Sequence, residues 1–450
     1  MRHSRPFVSR DFVLTKSDKP DAPPCPPARE LLASLAAGDT NVEALVTGCF
    51  ARIDARETEI GAWICLDREG ALEQARACDR ARRLGDKLPA LAGLPIAVKD
   101  NIETADLPTS FGSPIYDGYR PRADAACVAQ ARNAGAIVLG KTVTTEFAYY
   151  SPGKTVNPHN RAHTPGGSSQ GSAASVATGM VPIAFGTQTA GSVIRPAAYC
   201  GVVGFKPSWG LIPRPGVKLL SDWLDTVGIF ARDVADAAFF VAALTGRPAL
   251  RQDGAAGGPY TIAVLREPYP GTLEPEGVTS LDRTAEALAA AGHKIVDLPT
   301  PPPLQPLARL QRLVMAYDMD KALAHERRVH ESKLSSIMRT YLDEGKGTSA
   351  RAYDTALAIT REVMRDMDGI FGGADAILSP SAPGEAPKGL HATGDPAFNR
   401  IWSLLQLPCL TVPAGIGPNG LPLGIQLAAR QGQDALLLAV ALATEKVLKG

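Results

Sequence analysis

The chain has almost no surplus charge, with 47 basic residues against 46 acidic ones in 450. A protein that grips a polyanion carries a basic excess or a basic block, so neither nucleic acid nor an anionic membrane surface is indicated as a partner. No apolar run nears the roughly 18 residues that span a bilayer, and Met1 to Pro27 holds no continuous apolar segment of the signal-peptide kind. The seven cysteines (25, 49, 65, 78, 127, 200 and 409) are odd in number, scattered and without a C-x-x-C pair. That argues against a disulfide framework or a thiolate zinc site and for reduced, mostly buried thiols in a cytoplasmic protein. No repeat of fixed period is visible.

What is present is ordinary globular material, 45% hydrophobic and 21% charged. Residues 1–27 are polar and Pro-rich and read as a flexible arm. From 28 to about 86 the apolar spacing is helical. Beyond it, short apolar runs alternate with amphipathic ones. Strands are expected at 94–98, 136–139, 182–185, 202–205, 261–265, 294–298, 376–378, 409–412 and 424–427. Helices are expected at 125–133, 172–178, 233–244, 281–291 and 435–448, and 306–371 reads as largely helical. Interspersed strands and helices predict an α/β fold with a largely buried mixed sheet. No linker splits the chain, so 28–450 is expected to be a single domain, with about 250–370 as a variable, largely helical region on the substrate side.

Several motifs match a familiar spelling without its context. Gly135-Ala-Ile-Val-Leu-Gly-Lys-Thr142 spells a P-loop, but its centre is itself a strand and a helix precedes it, where a phosphate cradle needs a loop after a strand. Ser151-Pro-Gly-Lys154 spells S-x-x-K across a Pro-Gly turn. His325 and His330 are one residue too far apart for a zincin helix, since i and i+5 diverge by about 140° around the axis. Gly167-Ser-Ser-Gln-Gly171 spells a nucleophile elbow around Ser169, yet residues 157–165 carry two prolines and do not make the central strand that an elbow follows.

Two Ser/Gly turns remain, Gly166-Gly-Ser-Ser169 and Thr189-Ala-Gly-Ser192, with Lys99 upstream at the end of the apolar run Leu94-Pro-Ile-Ala-Val98. Glycine-rich backbone beside serine hydroxyls brings a nucleophile and main-chain N–H donors to one reacting atom. Together with Thr145-Glu-Phe147, Pro165–Ser172, Gly186–Ser192, Pro196–Pro207, Leu224–Gly228, Leu407–Pro413 and Gly420–Gln426, these segments resemble the amidase signature family. The likeness runs over about 28–446 and is densest from 90 to 230.

The resemblance implies the family fold, a large mixed central sheet covered on both faces by helices, and hydrolysis of a small carboxamide or carbamoyl compound. In that reading Ser192 is the nucleophile, Ser168 bridges it to the base Lys99, and a cis peptide precedes the bridging serine, here Gly167–Ser168. Backbone N–H groups of Thr189, Ala190, Gly191 and Ser192 form the oxyanion hole, and Ser169 is an auxiliary serine bonded to Lys99. Neither metal nor cofactor is implied. The partner expected is a small-molecule amide, and a homodimer is compatible with the sequence. A second reading is the glutaminase-like A subunit of a tRNA-dependent amidotransferase, which shares the motifs. Three departures stand at the second turn: Gln188 where the family commonly has Asp, Ala190 where it has Gly, and an arginine at 195 rather than 194. Tyr149, Tyr150, Trp223 and the helical region are the places from which substrate choice is expected to come.

Overall fold

Eleven strands form one sheet in a computed structural model that describes residues 24–252, 257–266 and 273–450. In chain order they are β1 (Trp63–Leu66), β2 (Pro95–Lys99), β3 (Ile137–Thr142), β4 (Ile183–Gln188), β5 (Val203–Lys206) and β6 (Thr226–Ala231). They continue with β7 (Thr261–Val264), β8 (Lys294–Asp297), β9 (Ala376–Pro380), β10 (Cys409–Ile416) and β11 (Pro422–Ala428). Their spatial order is β1-β3-β2-β4-β6-β5-β10-β11-β9-β7-β8, with β3, β2 and β4 parallel and the β4–β6–β5–β10–β11–β9 run antiparallel. The expected mixed α/β sheet is therefore present.

Strand alternation shows that both faces are covered. In β9 Ala376 and Leu378 join one buried cluster while Ile377 joins the other, and β7 divides the same way, with Ile262 and Val264 against Ala263. The larger cluster takes in the helices Val42–Ile60, Val234–Thr245 and Asp434–Lys449. The smaller takes in Leu307–Ala322 and the helices that follow it to Phe371. A strand buried on both faces has no polar side, which is why β2, β3 and β4 read as apolar runs. The two edge strands, β1 and β8, are only four residues long and partly exposed.

The sequence reading departs from this in three places. Trp63–Leu66 is a strand inside the stretch that reads as helical, because it pairs antiparallel with β3 and a four-residue run carries little periodicity of its own. Thr226–Ala231 is a strand between β4 and β5 where the sequence reading expects none, its first residues standing there only as part of a family-like segment. The region 250–370 holds β7, the helix Pro275–Ala290 and β8 before its helices begin at Leu307. Residues 1–23 of the expected arm lie outside the described residues. From Pro24 onward the chain lies on the body: Cys25 is fully buried, its N–H donates to Gly179 O at 3.1 Å, and Arg232 Nη1 reaches its carbonyl at 2.5 Å.

All seven cysteines are free, and five are buried. Among the described residues no helix is long and apolar enough to cross a membrane, and no three His, Cys, Asp or Glu side chains are grouped to hold a metal ion.

Candidate active site

Adjacent parallel strands deliver their carboxyl ends to the same place, the position where open α/β sheets bind ligands. Pairing of Ile96 with Ile183 and Val98 with Phe185 puts Lys99, the last residue of β2, beside the end of β4. Lys99 is fully buried. Its Nζ lies 2.7 Å from Ser168 Oγ and 2.8 Å from Thr187 Oγ1, and Asn101 Nδ2 donates to the same threonine oxygen at 2.9 Å. The neighbouring Asp100 does not serve it. Asp100 pairs with the equally buried Lys141 at 3.1 Å and accepts from Ser110 Oγ at 2.6 Å. Burial pushes the Lys99 ammonium well below the ordinary lysine range, with the more distant Asp225 charge acting in the opposite sense.

The first Ser/Gly turn lies over this lysine. Gly166 adopts a left-handed φ of 82°, and a side chain there would meet Pro196 Cα at 2.7 Å, so the position takes only glycine. The Gly167–Ser168 peptide is cis, as the resemblance implied. Ser168 O accepts from Gln170 N–H at 2.9 Å and Thr145 N–H at 3.3 Å. Arg195 Nη2 donates to Gly167 O at 2.7 Å and to Thr393 Oγ1 at 3.0 Å. The arginine displaced by one position thus still holds the first turn. Ser169 does not bond Lys99. Its hydroxyl faces the Thr187 backbone, 3.3 Å from the carbonyl and 3.4 Å from the nitrogen, and Thr187 Oγ1 takes the place on the lysine expected of Ser169. The helix Gln170–Ala177 does follow this serine, but no strand precedes it, which removes the elbow reading.

The second turn leaves β4 at Gln188 and enters the helix Ile194–Cys200. Gln188 Oε1 accepts from the N–H groups of Val193 at 2.9 Å and Ile194 at 3.0 Å, satisfying donors that a helix start leaves unpaired. Its amide also donates to Ser403 Oγ at 3.1 Å, and Ser403 donates to Ala190 O at 2.8 Å. Gln311 Nε2 reaches Thr189 O at 3.4 Å. With the Thr189 and Ala190 carbonyls held in this way, the N–H groups of Thr189, Ala190, Gly191 and Ser192 donate to no acceptor among the described residues. Thr189 Oγ1 donates to Asp225, which burial pushes up to about 6. Ser168, Thr189, Ala190, Gly191 and Ser192 line one narrow pocket with Thr145, Ala148, Tyr149, Tyr150, Arg195, Met315, Thr393 and Pro396.

The chain matches the family model "Amidase" over residues 44–438. The chain belongs to the amidase signature family. It is 34% identical to the A subunit of glutamyl-tRNA(Gln) amidotransferase from Koribacter versatilis (strain Ellin345), over 90% of this chain and 95% of that protein. To the protein of that name from Anaeromyxobacter sp. (strain K) it is 35% identical, over 93% and 96%. Among solved structures, one described as an amidase superposes with a TM-score of 0.86 at 28% identity, covering 94% of this chain and all of that one. A peptide amidase bound to the competitive inhibitor chymostatin superposes with a TM-score of 0.80 at 29% identity, over 93% and 97%.

The motifs set aside in the sequence are accounted for by this amidase fold. Ile137 to Thr142 is the buried strand β3, and Lys141 within it is paired to Asp100. Lys154 is half-exposed and faces Glu57. His325 and His330 approach edge to face at 5.8 Å, and Glu326 between them turns inward to Tyr116 and Lys218. Of the aromatics expected to choose substrate, Tyr149 and Tyr150 line the pocket, whereas Trp223 donates its indole N–H to Leu404 O elsewhere. Met315 is contributed by the helical region. Asn101, Thr187 and Asp225 stand inside or beside the segments that carry the resemblance, which gives them no role. Gln311, Ser403 and Thr393 carry no sequence signal, because contacts 122 to 213 residues apart bring them to the turns.

Proposed function

We propose that this amidase hydrolyses a small carboxamide or carbamoyl compound through an acyl-enzyme on Ser192, with Ser168 and Lys99 as its proton relay. The observation that carries the reading is a fully buried lysine without a carboxylate partner, 2.7 Å from a serine that shares a pocket wall with Ser192. Such desolvation favours the neutral amine, the form of lysine that acts as a base. Thr187 and Asn101 fix where its N–H groups point, which leaves the nitrogen lone pair for the Ser168 hydroxyl. As Ser192 Oγ attacks the carbonyl carbon, its proton passes to Ser168 and that of Ser168 to Lys99. The unpaired N–H groups of 189–192 receive the oxyanion, each such donor contributing roughly 3–4 kcal/mol at the transition state. Collapse of the tetrahedral adduct returns the proton to the departing ammonia or amine, and water attacks the acyl-enzyme by the same relay.

The relatives support a second reading with the same chemistry. Both amidotransferase relatives described above carry the name of the A subunit and are matched over nearly their whole length. Under that reading the amide is glutamine and the chain works within a complex. Ammonia release over aliphatic, aryl, ureido and glutamine amides separates the two. Wild type active alone on a simple amide supports the hydrolase, whereas glutaminase activity that appears only with partner subunits supports the second reading. Ser192→Ala is expected to abolish turnover in either case. Activity that survives Ser192→Ala but is lost in Ser169→Ala overturns the relay.

A further inference from the structure

Far from the pocket, two cysteines meet. Cys25 and Cys49 are both fully buried, and their thiols are hydrogen-bonding partners, with Cys49 as the donor. Arg52, on the same helix as Cys49 (Val42–Ile60), directs Nη2 at Cys49 Sγ from 3.5 Å. Among the described residues that sulfur is its one acceptor, its Nε meets none, and no carboxylate pairs with it. Arg232, which holds the Cys25 carbonyl, adds a second cation. Positive charge without a carboxylate beside a thiol favours the thiolate, which is the form that reacts. The Cys49 hydrogen bond pulls the Cys25 thiol below its ordinary value, with burial opposing and the Arg52 charge assisting, and Cys49 is held well above it. Burial raises the other five thiols, and none of them has a cysteine as hydrogen-bond partner among the described residues. Cys25 belongs to an irregular segment, between the exposed Pro24 and Pro26. Its backbone is pinned by Gly179 O and by Arg232, so release of these two bonds uncovers the pair to a small reagent.

We propose that Cys25 and Cys49 are a redox pair, which a small peroxide converts to a disulfide joining residues 24–27 to the helix Val42–Ile60. The Cys25 sulfur attacks one peroxide oxygen, the O–O bond breaks, and hydroxide leaves as water once it takes the thiol proton. The Cys49 sulfur then attacks the Cys25 sulfenic acid. The S–O bond breaks, and the hydroxyl leaves with the Cys49 proton as a second water. Two thiols thus give two electrons to one hydrogen peroxide, and a dithiol reductant returns them. The bond closes the chain between 25 and 49 and so restricts the unfolded state. It is independent of the amide chemistry, because Gly179 lies beyond the far end of the helix Gln170–Ala177 from Ser168.

The test is titration of reduced wild type with hydrogen peroxide, followed by alkylation and peptide mapping. Two of the seven free thiols should be lost first, with the Cys25 and Cys49 peptides joined, and dithiothreitol should restore both. Oxidation of the partly exposed Cys65 or Cys78 ahead of the pair, or Cys25 joined to another cysteine, overturns the proposal. Cys49→Ser should leave Cys25 as a sulfenic acid that dimedone traps, and Cys25→Ser should leave Cys49 unmodified at the same dose. Cys49 oxidised as readily in Cys25→Ser as in wild type would overturn Cys25 as the attacking thiol. The wild-type map needs neither variant to fold. The urea midpoint of wild type should rise on oxidation and fall back on reduction, and an unchanged midpoint refutes the restraint.

Discussion

Replacing Lys99 with methionine separates stability from catalysis. Methionine fills the same unbranched volume with nothing to protonate, and it leaves Asn101 still donating to Thr187. Ser168 loses a partner, which costs about 1–3 kcal/mol and does not change with pH. Under the proposed relay the native lysine is neutral, as burial favours, while the unfolded one is protonated up to about 10.5. Below that value the unfolded chain binds one more proton than the native chain, and wild-type stability rises with pH by about 1.4 kcal/mol per unit. The penalty is thus absent above the ordinary lysine pKa and accumulates as pH falls, until the depressed native value is reached. Between pH 8 and 10, two units at about 1.36 kcal/mol each give a wild-type gain of about 2.7 kcal/mol over Lys99→Met. All other titrating groups are common to both proteins and cancel in the difference. Urea unfolding of the pair at pH 8, 9 and 10 measures it, beside ammonia release. The expected result is a variant without turnover whose stability, relative to wild type, is best at the lowest pH. A difference that stays flat across the three pH values would mean that native Lys99 is charged. The base role would then be refuted.

Gln188→Leu removes the acceptor of two buried helix-start N–H groups, and urea unfolding should show a loss of about 2–4 kcal/mol. Asp225→Asn removes the charge that favours protonated Lys99, so the acid limb of the kcat/KM profile should move to lower pH, and a shift upward would contradict the electrostatics. Gly191→Ala would press its Cβ on Asn399 Oδ1 and lie 2.9 Å from Pro396 Cβ. Displacing one oxyanion donor in this way should lower kcat by about 10²-fold, with KM changed far less.

The sequence by itself determined the fold class, the sheet interior and the two Ser/Gly turns that line the pocket. A strand buried on both faces must be written as a continuous apolar run, and a serine beside approaching backbone needs glycine, so both leave local marks. Periodicity marks neither β1, which is too short, nor β6, whose place in the sheet comes from pairing with β4 and β5. The resemblance supplies Lys99, Ser168 and Ser192, and the structure gathers all three. It also gives Ser169 to Lys99, yet adjacent residues on a turn point different ways, and the lysine meets Thr187 instead.

Charge is where the tertiary structure decided most. Lys99, Lys141 and Arg195 look alike in a sequence, and Asp100 follows Lys99 directly. Only the packing assigns that carboxylate to Lys141, leaves Lys99 with hydroxyls and leaves Arg195 facing the pocket without a counter-ion. Desolvation and ion pairing depend on neighbours far along the chain, which no local pattern records.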